Sequence, residues 1–360
     1  MAREIEIAGR KIGPGHPAFI VAELSCNHLQ DYRLAIETIE AMRKAGADAV
    51  KIQTYTPDTI TLDSDSEDFV LKQGSIWDGT RFHTLYQEGF TPWEWTANLK
   101  KEVEERGMIF FSSPFDKTAV DHLEEVGVPV YKIASFEITD IPLIKYAASK
   151  GKPIIISTGV SELGDLEKAV EACRSVGNDQ IALLKCTSAY PAPYEDANLR
   201  TIPDLAKRFD VVSGLSDHTH GIAVPIAAVS LGASIIEKHF IIDRDIQYSK
   251  KRFPDGKYSN DREFSLEPVE FKEMVKNVRR AERALGEINY DLKGASKNSR
   301  EFARSLYIAE DMVAGEIYTE KNVRSVRPGF GMHPERLPEI LGKRATRDVK
   351  KGERMSEGMF

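Results

Sequence analysis

The sequence has little cysteine, no long apolar run and no excess of positive charge, and each lack removes a class of function. Its 3 cysteines, Cys26, Cys173 and Cys186, are odd in number and nowhere spaced as CxxC. A disulfide framework and a zinc ribbon are therefore not indicated, and reduced thiols are expected. No apolar stretch of about 18 residues runs uninterrupted, so no membrane span is expected. "MAREIEIAGRKIG" lacks the apolar core of an export signal, which leaves the cytoplasm as the expected location. The net charge is −7, from 49 Lys and Arg against 56 Asp and Glu. That balance argues against nucleic acid held by a general basic field, which needs cationic surface to displace counterions. Neither a Walker P-loop nor a GxGxxG turn follows any candidate strand, so no nucleotide cofactor is signalled.

What is present is an ordinary globular composition, 41% hydrophobic and 29% charged over 360 residues, enough for one large α/β domain and a small second one. Short β-branched or aromatic runs alternate with helix-period stretches between residues 18 and 286, the pattern of parallel strands joined by helical crossovers. The strands are "AFIVAELS", "DAVKIQTY", "MIFFSSPF", "VYKIASFE", "PIIISTG", "IALLKCTS", "VVSGLSDH" and "SIIEKHF", eight in all. Eight βα units fit a (β/α)8 TIM barrel better than an open doubly wound sheet. The helices "DYRLAIETIEAMRKAG", "ELGDLEKAVEACRSVG" and "EPVEFKEMVKNVRRAERALG" each close on a glycine suited to the left-handed position. Two connections are long: 56–91, expected to loop over the active face, and 241–266, which contains the loop 249–260. After the barrel domain 1–286, residues 287–302 read as a polar linker. Residues 303–360 form a compact module, and about 60 residues make a marginal core alone.

In such barrels catalytic groups sit where strands end. Those positions hold Glu23, Asn27 and His28; Lys51 and Gln53; Ser112 and Ser113; Lys132, Ser135 and Glu137; Ser157 and Thr158; Lys185, Thr187 and Ser188; Ser216 and His218; Glu237 and His239. One polar strand end is unremarkable, but barrel closure aims all of these at one small volume, and burying them without a ligand is costly. His218 and His239 end neighbouring strands about 4.8 Å apart, so both imidazoles can reach one divalent metal or one can be a hydrogen-bonded wall. His220, in the same "GLSDHTHG", falls into the loop. Lys51 and Lys132 with Ser113, Ser135, Ser157 and Ser216 make a rim suited to a phosphate ester, although the lysines can instead pair with Glu23, Glu137 or Glu237. A Schiff-base aldolase would use Lys132 or Lys185 as nucleophile. A non-enzymatic reading makes the barrel a scaffold for a binding module.

In order, "VAELSCNH", "AGADAVKIQTY", "FFSSPFD", "YKIASFE", "KPIIISTG", "LLKCTSAYP", "GLSDHTHG" and "EKHF" resemble the N-acetylneuraminate (sialic acid) synthase family. "FARSLYIAEDMVAGE" and "NVRSVRPGFGMHP" are similar to that family's antifreeze-like (SAF) domain, and "DSEDFVLKQGSIWDGTRFHTLYQEGFTPWEW" to its pseudaminic acid synthase branch. The resemblance implies condensation of phosphoenolpyruvate with the open-chain aldehyde of an N-acetylated amino sugar, here 2,4-diacetamido-2,4,6-trideoxyaltrose, to a nine-carbon 2-keto acid. It implies His218 and His239 as ligands of Mn, Co or Mg. Lys51, Ser113, Lys132, Ser135, Ser157, Ser188 and Ser216 match the phosphoenolpyruvate site, Ser188 standing where sialic acid synthases carry asparagine. Glu23, Gln53, Glu137 and Tyr190 match positions around the reacting carbons and sugar. A sugar-binding aspartate matches Asp261 or Asp255, with Asp261 preferred for the "FS" that follows. Arg327 matches an arginine that reaches the sugar site of the other subunit in a domain-swapped homodimer.

Overall fold

The computed structural model describes residues 3–72, 79–245 and 261–360; Asp255 and the loop 249–260 lie outside the described residues. The chain divides at Gly286 into two compact units.

The first unit opens with an antiparallel hairpin, β1 (Ile5–Ile7) and β2 (Arg10–Ile12). Eight parallel strands follow: β3 (Phe19–Glu23), β4 (Ala49–Thr54), β5 (Ile109–Pro114), β6 (Tyr131–Ile133), β7 (Ile154–Ser157), β8 (Ile181–Cys186), β9 (Val212–Asp217) and β10 (Ile235–His239). They close in chain order, β10 pairing back onto β3 with His239 opposite Glu23. The strands read as unbroken apolar runs because both faces are covered. Alternate residues such as Phe19, Val21, Ala49, Phe111, Val130, Ile155, Ala182, Leu184, Val212 and Ile235 fill the interior, while Ile20, Ala22, Val50 and Ile156 pack outward with the helices.

Ile5, Ile7 and Ile12 of the hairpin join the interior cluster at the end where strands begin. Burying each contributes about 2 kcal/mol. Sequence periodicity gives no sign of this plug, because strands of three residues are too short to establish a period.

Helix Tyr32–Ala45 is held at its start by Asp31, which accepts from the N–H groups of Arg33 and Leu34, and at its end by Gly46 at φ 93°, ψ 26°. Gly177 also has positive φ, at 80°. Gly286 departs from expectation: at φ 52°, ψ −144° it is outside the left-handed helical region, so the chain leaves its helix extended. The long connection 56–91 is less of a loop than its composition suggests. Its described part contains helical segments Pro57–Ile60, Glu67–Phe69 and Phe82–Gly89, anchored by edge contacts of Tyr55 with Tyr86 and Phe115.

In the second unit a short helix, Ala295–Ser299, and a turn, Arg300–Phe302, lie within the stretch read as a polar linker. Strands β11 (Ser305–Ile308) and β12 (Val323–Val326) pair antiparallel over a core of Leu306, Ile308, Tyr318, Val323 and Val349. Among the described residues no helix is long and apolar enough to cross a membrane.

Candidate active site

Two residues beyond the apolar interior, the alternation of each strand turns Glu23, Lys51, Ser113, Lys132, Ser157, Cys186, Ser216 and Glu237 inward, and all are buried. Lys51 Nζ stands 2.8 Å from Glu23 Oε2, 3.5 Å from Glu237 Oε1 and 3.4 Å from Ser113 Oγ. Lys132 Nζ donates to Ser157 Oγ at 2.6 Å and Ile133 O at 3.0 Å, and stands 3.9 Å from Glu237 Oε1. Ser216 donates to the same Glu237 oxygen at 3.1 Å. Two ammoniums and two carboxylates thus share one water-poor volume, and mutual pairing is what makes their burial tolerable.

The lysines respond differently. Burial pulls Lys51 down, but Glu23 and Glu237 overcome it and hold its pKa above normal. Burial dominates at Lys132, whose pKa is lowered despite Glu237. Glu237 is opposed by burial yet kept well below the usual carboxylate range by both lysines. Glu137, on the turn Ser135–Glu137, stands outside these pairs: its Oε2 is buried without a hydrogen-bond partner among the described residues, and burial pushes the carboxyl up to about 7.

Above this layer the rings of His218 and His239 lie 5.4 Å apart, centroid to centroid. His218 Nδ1 is 2.9 Å from Thr187 O, and His239 Nδ1 is 3.0 Å from Asp261 Oδ2. Phe264 packs 4.8 Å from His239 and 5.6 Å from His218, and Tyr190 stacks obliquely on His218 at 4.4 Å. Asn27 fastens the returning segment by donating to Phe240 O at 2.8 Å and Ser265 Oγ at 3.0 Å. On the outer side of the same strands, buried Lys238 and Asp217 pair at 2.6 Å, and Asp217 also accepts from Thr219 N at 3.1 Å. Gly214 permits the close approach of β9 to β10, since a Cβ there would sit 2.4 Å from Ile235 O. His220 is exposed, and its carbonyl accepts from Tyr194 OH at 2.8 Å.

Gln53 Nε2 donates to Glu23 Oε1 at 3.3 Å and Ser25 Oγ at 3.0 Å. Ser135 Oγ accepts from Gly159 N at 3.1 Å, and a Cβ on Gly159 would fall 2.0 Å from Ser188 Oγ and 2.8 Å from Ser135 Oγ. Gly159, which the strand-end pattern does not single out, therefore keeps open a small cradle between the expected hydroxyls of Ser135 and Ser188. Cys186 and Phe264 were also missed. Cys186 takes the inward place on β8, and Lys185, offered above as an aldolase nucleophile, turns outward to donate to Cys186 O at 2.6 Å and Thr187 Oγ1 at 3.2 Å. Its parity with Leu183 rather than Leu184 was the available signal. Arg327 belongs to the second unit, where it is exposed.

The residues fit a divalent metal. His218 Nδ1 donates to Thr187 O and His239 Nδ1 stands 3.0 Å from Asp261 Oδ2, so each ring sets Nδ1 against an oxygen and leaves Nε2 for a metal, the arrangement usual behind metal-ligating histidines. Among the described residues no group of three or more His, Cys, Asp or Glu forms a closed metal cluster. Two imidazoles leave positions for water and substrate oxygen.

The sequence pattern of the NeuB family matches residues 38–290, and that of the SAF domain matches residues 303–356. The chain belongs to the NeuB family. It is 45% identical over 342 residues to the pseudaminic acid synthase of Campylobacter jejuni, covering 95% of this chain and 96% of that one. The pseudaminic acid synthase of Helicobacter pylori is 44% identical over 335 residues, 93% of this chain and 95% of its own. Among solved structures, the N-acetylneuraminic acid synthetase of Leptospira borgpetersenii in complex with citrate superposes with a TM-score of 0.71 at 31% identity, over 84% of this chain and 96% of that one. This NeuB-family barrel therefore has full-length relatives that are synthases.

Proposed function

We propose that the barrel mouth condenses phosphoenolpyruvate with the open-chain aldehyde of 2,4-diacetamido-2,4,6-trideoxy-L-altrose, forming pseudaminic acid and phosphate. The observation that carries the reading is the convergence of two buried ammoniums, two buried carboxylates and two imidazoles at one strand end, in a chain so similar to pseudaminic acid synthases. Lys51 and Lys132 take the phosphate and carboxylate of phosphoenolpyruvate, with Ser113, Ser135, Ser157, Ser188 and Ser216 as hydroxyl donors. Gln53, Tyr190 and Asp261 face the sugar, and Arg327 of a second copy closes over it in a domain-swapped homodimer.

A divalent ion (Mn, Co or Mg) on the Nε2 atoms of His218 and His239 would supply Lewis-acid polarisation of the aldehyde oxygen. C3 of the enol bonds to the aldehyde carbon, and Glu137, protonated up to about pH 7, gives its proton to the new hydroxyl. Water adds to the cationic C2, and Glu23 takes one of its protons. The C2–O bond to phosphorus then breaks, phosphate leaving with the remaining proton and the keto group forming. A cytoplasmic location fits an enzyme that draws on phosphoenolpyruvate.

The lowered pKa of Lys132 favours a second reading as a Schiff-base lysine. Borohydride trapping with pyruvate and indifference to EDTA would support it. The first reading is tested by mass spectrometry of products from phosphoenolpyruvate offered with a panel of N-acetylated sugars. A mass gain for the trideoxyaltrose substrate is expected, whereas turnover only of N-acetylmannosamine or of the legionaminic precursor would move the enzyme to a sister branch.

A further inference from the structure

The condensation chemistry gives no task to Asn27, yet this strand-end residue is buried to 2% exposure. Its Nδ2 donates to Phe240 O at 2.8 Å and to Ser265 Oγ at 3.0 Å. A carbonyl can only accept, so the first bond fixes which end of the amide is the NH2. The loop that carries Asn27 holds Ser25, Leu29 and Gln30 at φ 46°, 49° and 54°. Left-handed geometry is disfavoured for residues with a Cβ and persists only where the surroundings enforce it. Leu29 packs with Ile242 of the chain leaving β10, so the loop braces that chain by contact as well as by hydrogen bonds.

The two acceptors of Asn27 flank the place where Asp261 Oδ2 stands 3.0 Å from His239 Nδ1. Phe240 directly follows His239. Ser265 accepts from Asn27 and gives its own hydroxyl proton to Asp261 O at 2.7 Å, a carbonyl that also accepts from Ser265 N at 3.1 Å. Leu266 N donates to His239 O at 2.9 Å, which pins the far end of the returning segment to β10. One amide thus ties the backbone beside the imidazole to the backbone of the aspartate behind it.

We infer that Asn27 is a positioning residue for His239: by joining the Phe240 carbonyl to the hydroxyl that fixes the Asp261 backbone, it sets the spacing at which Asp261 meets Nδ1 and holds the ring in the pose that offers Nε2 to a divalent ion. The inference rests on the metal reading of the two imidazoles.

The test compares full-length wild type with Asn27→Ala, Ser265→Ala and Asn178→Ala. Asn178 is a matched control at the end where strands begin: it is 5% exposed, and its Nδ2 donates to Ala148 O at 3.0 Å and Lys152 O at 2.7 Å. Calorimetric titration with manganese chloride, without substrate, is the first measurement. Kd is expected to weaken about tenfold in Asn27→Ala, to weaken also in Ser265→Ala, and to stay within about twofold of wild type in Asn178→Ala. Unchanged affinity in Asn27→Ala, or an equal fall in Asn178→Ala, overturns the inference. If Asn27→Ala does not fold, Ser265→Ala, which removes only the hydroxyl between Asn27 and Asp261 O, is judged by the same criterion. Hydrogen exchange of the metal-free proteins is the second measurement. Peptides spanning 261–266 should exchange faster in Asn27→Ala than in wild type and no faster in Asn178→Ala; unchanged exchange in Asn27→Ala also overturns the inference. Absence of manganese binding by wild type would instead defeat the metal reading under the proposed function, and the exchange comparison then decides whether Asn27 holds the segment behind His239.

Discussion

At the scale of single residues the site is governed by which charges find partners. Glu137 does not. Its carboxyl titrates at 4.5 in an unfolded chain and at about 7 in the fold, where burial opposes its ionisation. Between those values the unfolded state has lost the proton that the folded state keeps. Glu137 is therefore neutral to stability below about pH 4.5, and its cost grows as pH rises, reaching about 3 kcal/mol above pH 7. Glu137→Gln should melt above wild type at pH 8 and level with it at pH 4.5, as differential scanning calorimetry would show; an equal difference at both pH values would contradict the assignment. His218 makes a different prediction. With its Nδ1 held by Thr187 O, His218→Ala should abolish condensation and weaken manganese binding, read by calorimetry, while the melting curve is unchanged. Full activity in that variant would reduce the imidazole to a wall.

At the scale of elements, β9 and β10 deliver one imidazole each and are locked from behind by the buried Asp217–Lys238 pair at 2.6 Å. Lys238→Met leaves Asp217 buried and unpaired, so a loss of about 3–5 kcal/mol is expected in urea unfolding. Asp217→Asn with Lys238→Met should lose markedly less; equal losses would mean the pair is not coupled. Legibility in the sequence follows the same lines. Parallel strands buried on both faces announce themselves as β-branched runs, so all eight barrel strands could be read. The inner face could not always be chosen, because "IALLKC" is apolar in both registers, and Lys185 drew attention from Cys186, which turns inward. His218 and His239 were legible as a pair because each ends its strand at inward parity. Phe264 and the positive φ of Ser25 were not legible, since the β3 loop meets the returning segment only through the tertiary fold, as in the bond from Asn27 to Ser265 between residues 238 apart in sequence. The hairpin plug was hidden by its brevity.

At the scale of the whole molecule, the proposed exchange of Arg327 between copies makes activity a property of the dimer. His218→Ala chains carry an intact Arg327 and Arg327→Ala chains an intact barrel. Unfolded together in equal amounts and refolded, they should recover about a quarter of wild-type activity, because half the dimers are mixed and one of their two sites is complete. No recovery would mean that each chain closes its own site. The central claim concerns the chemistry: attack through C3 and water at C2 require the C–O bond of phosphoenolpyruvate to break, not the P–O bond. The most direct measurement is turnover of phosphoenolpyruvate labelled with 18O at the bridging oxygen, followed by mass spectrometry of both products. The label is predicted in the released phosphate; label retained at the keto carbon of the sugar acid would contradict the account.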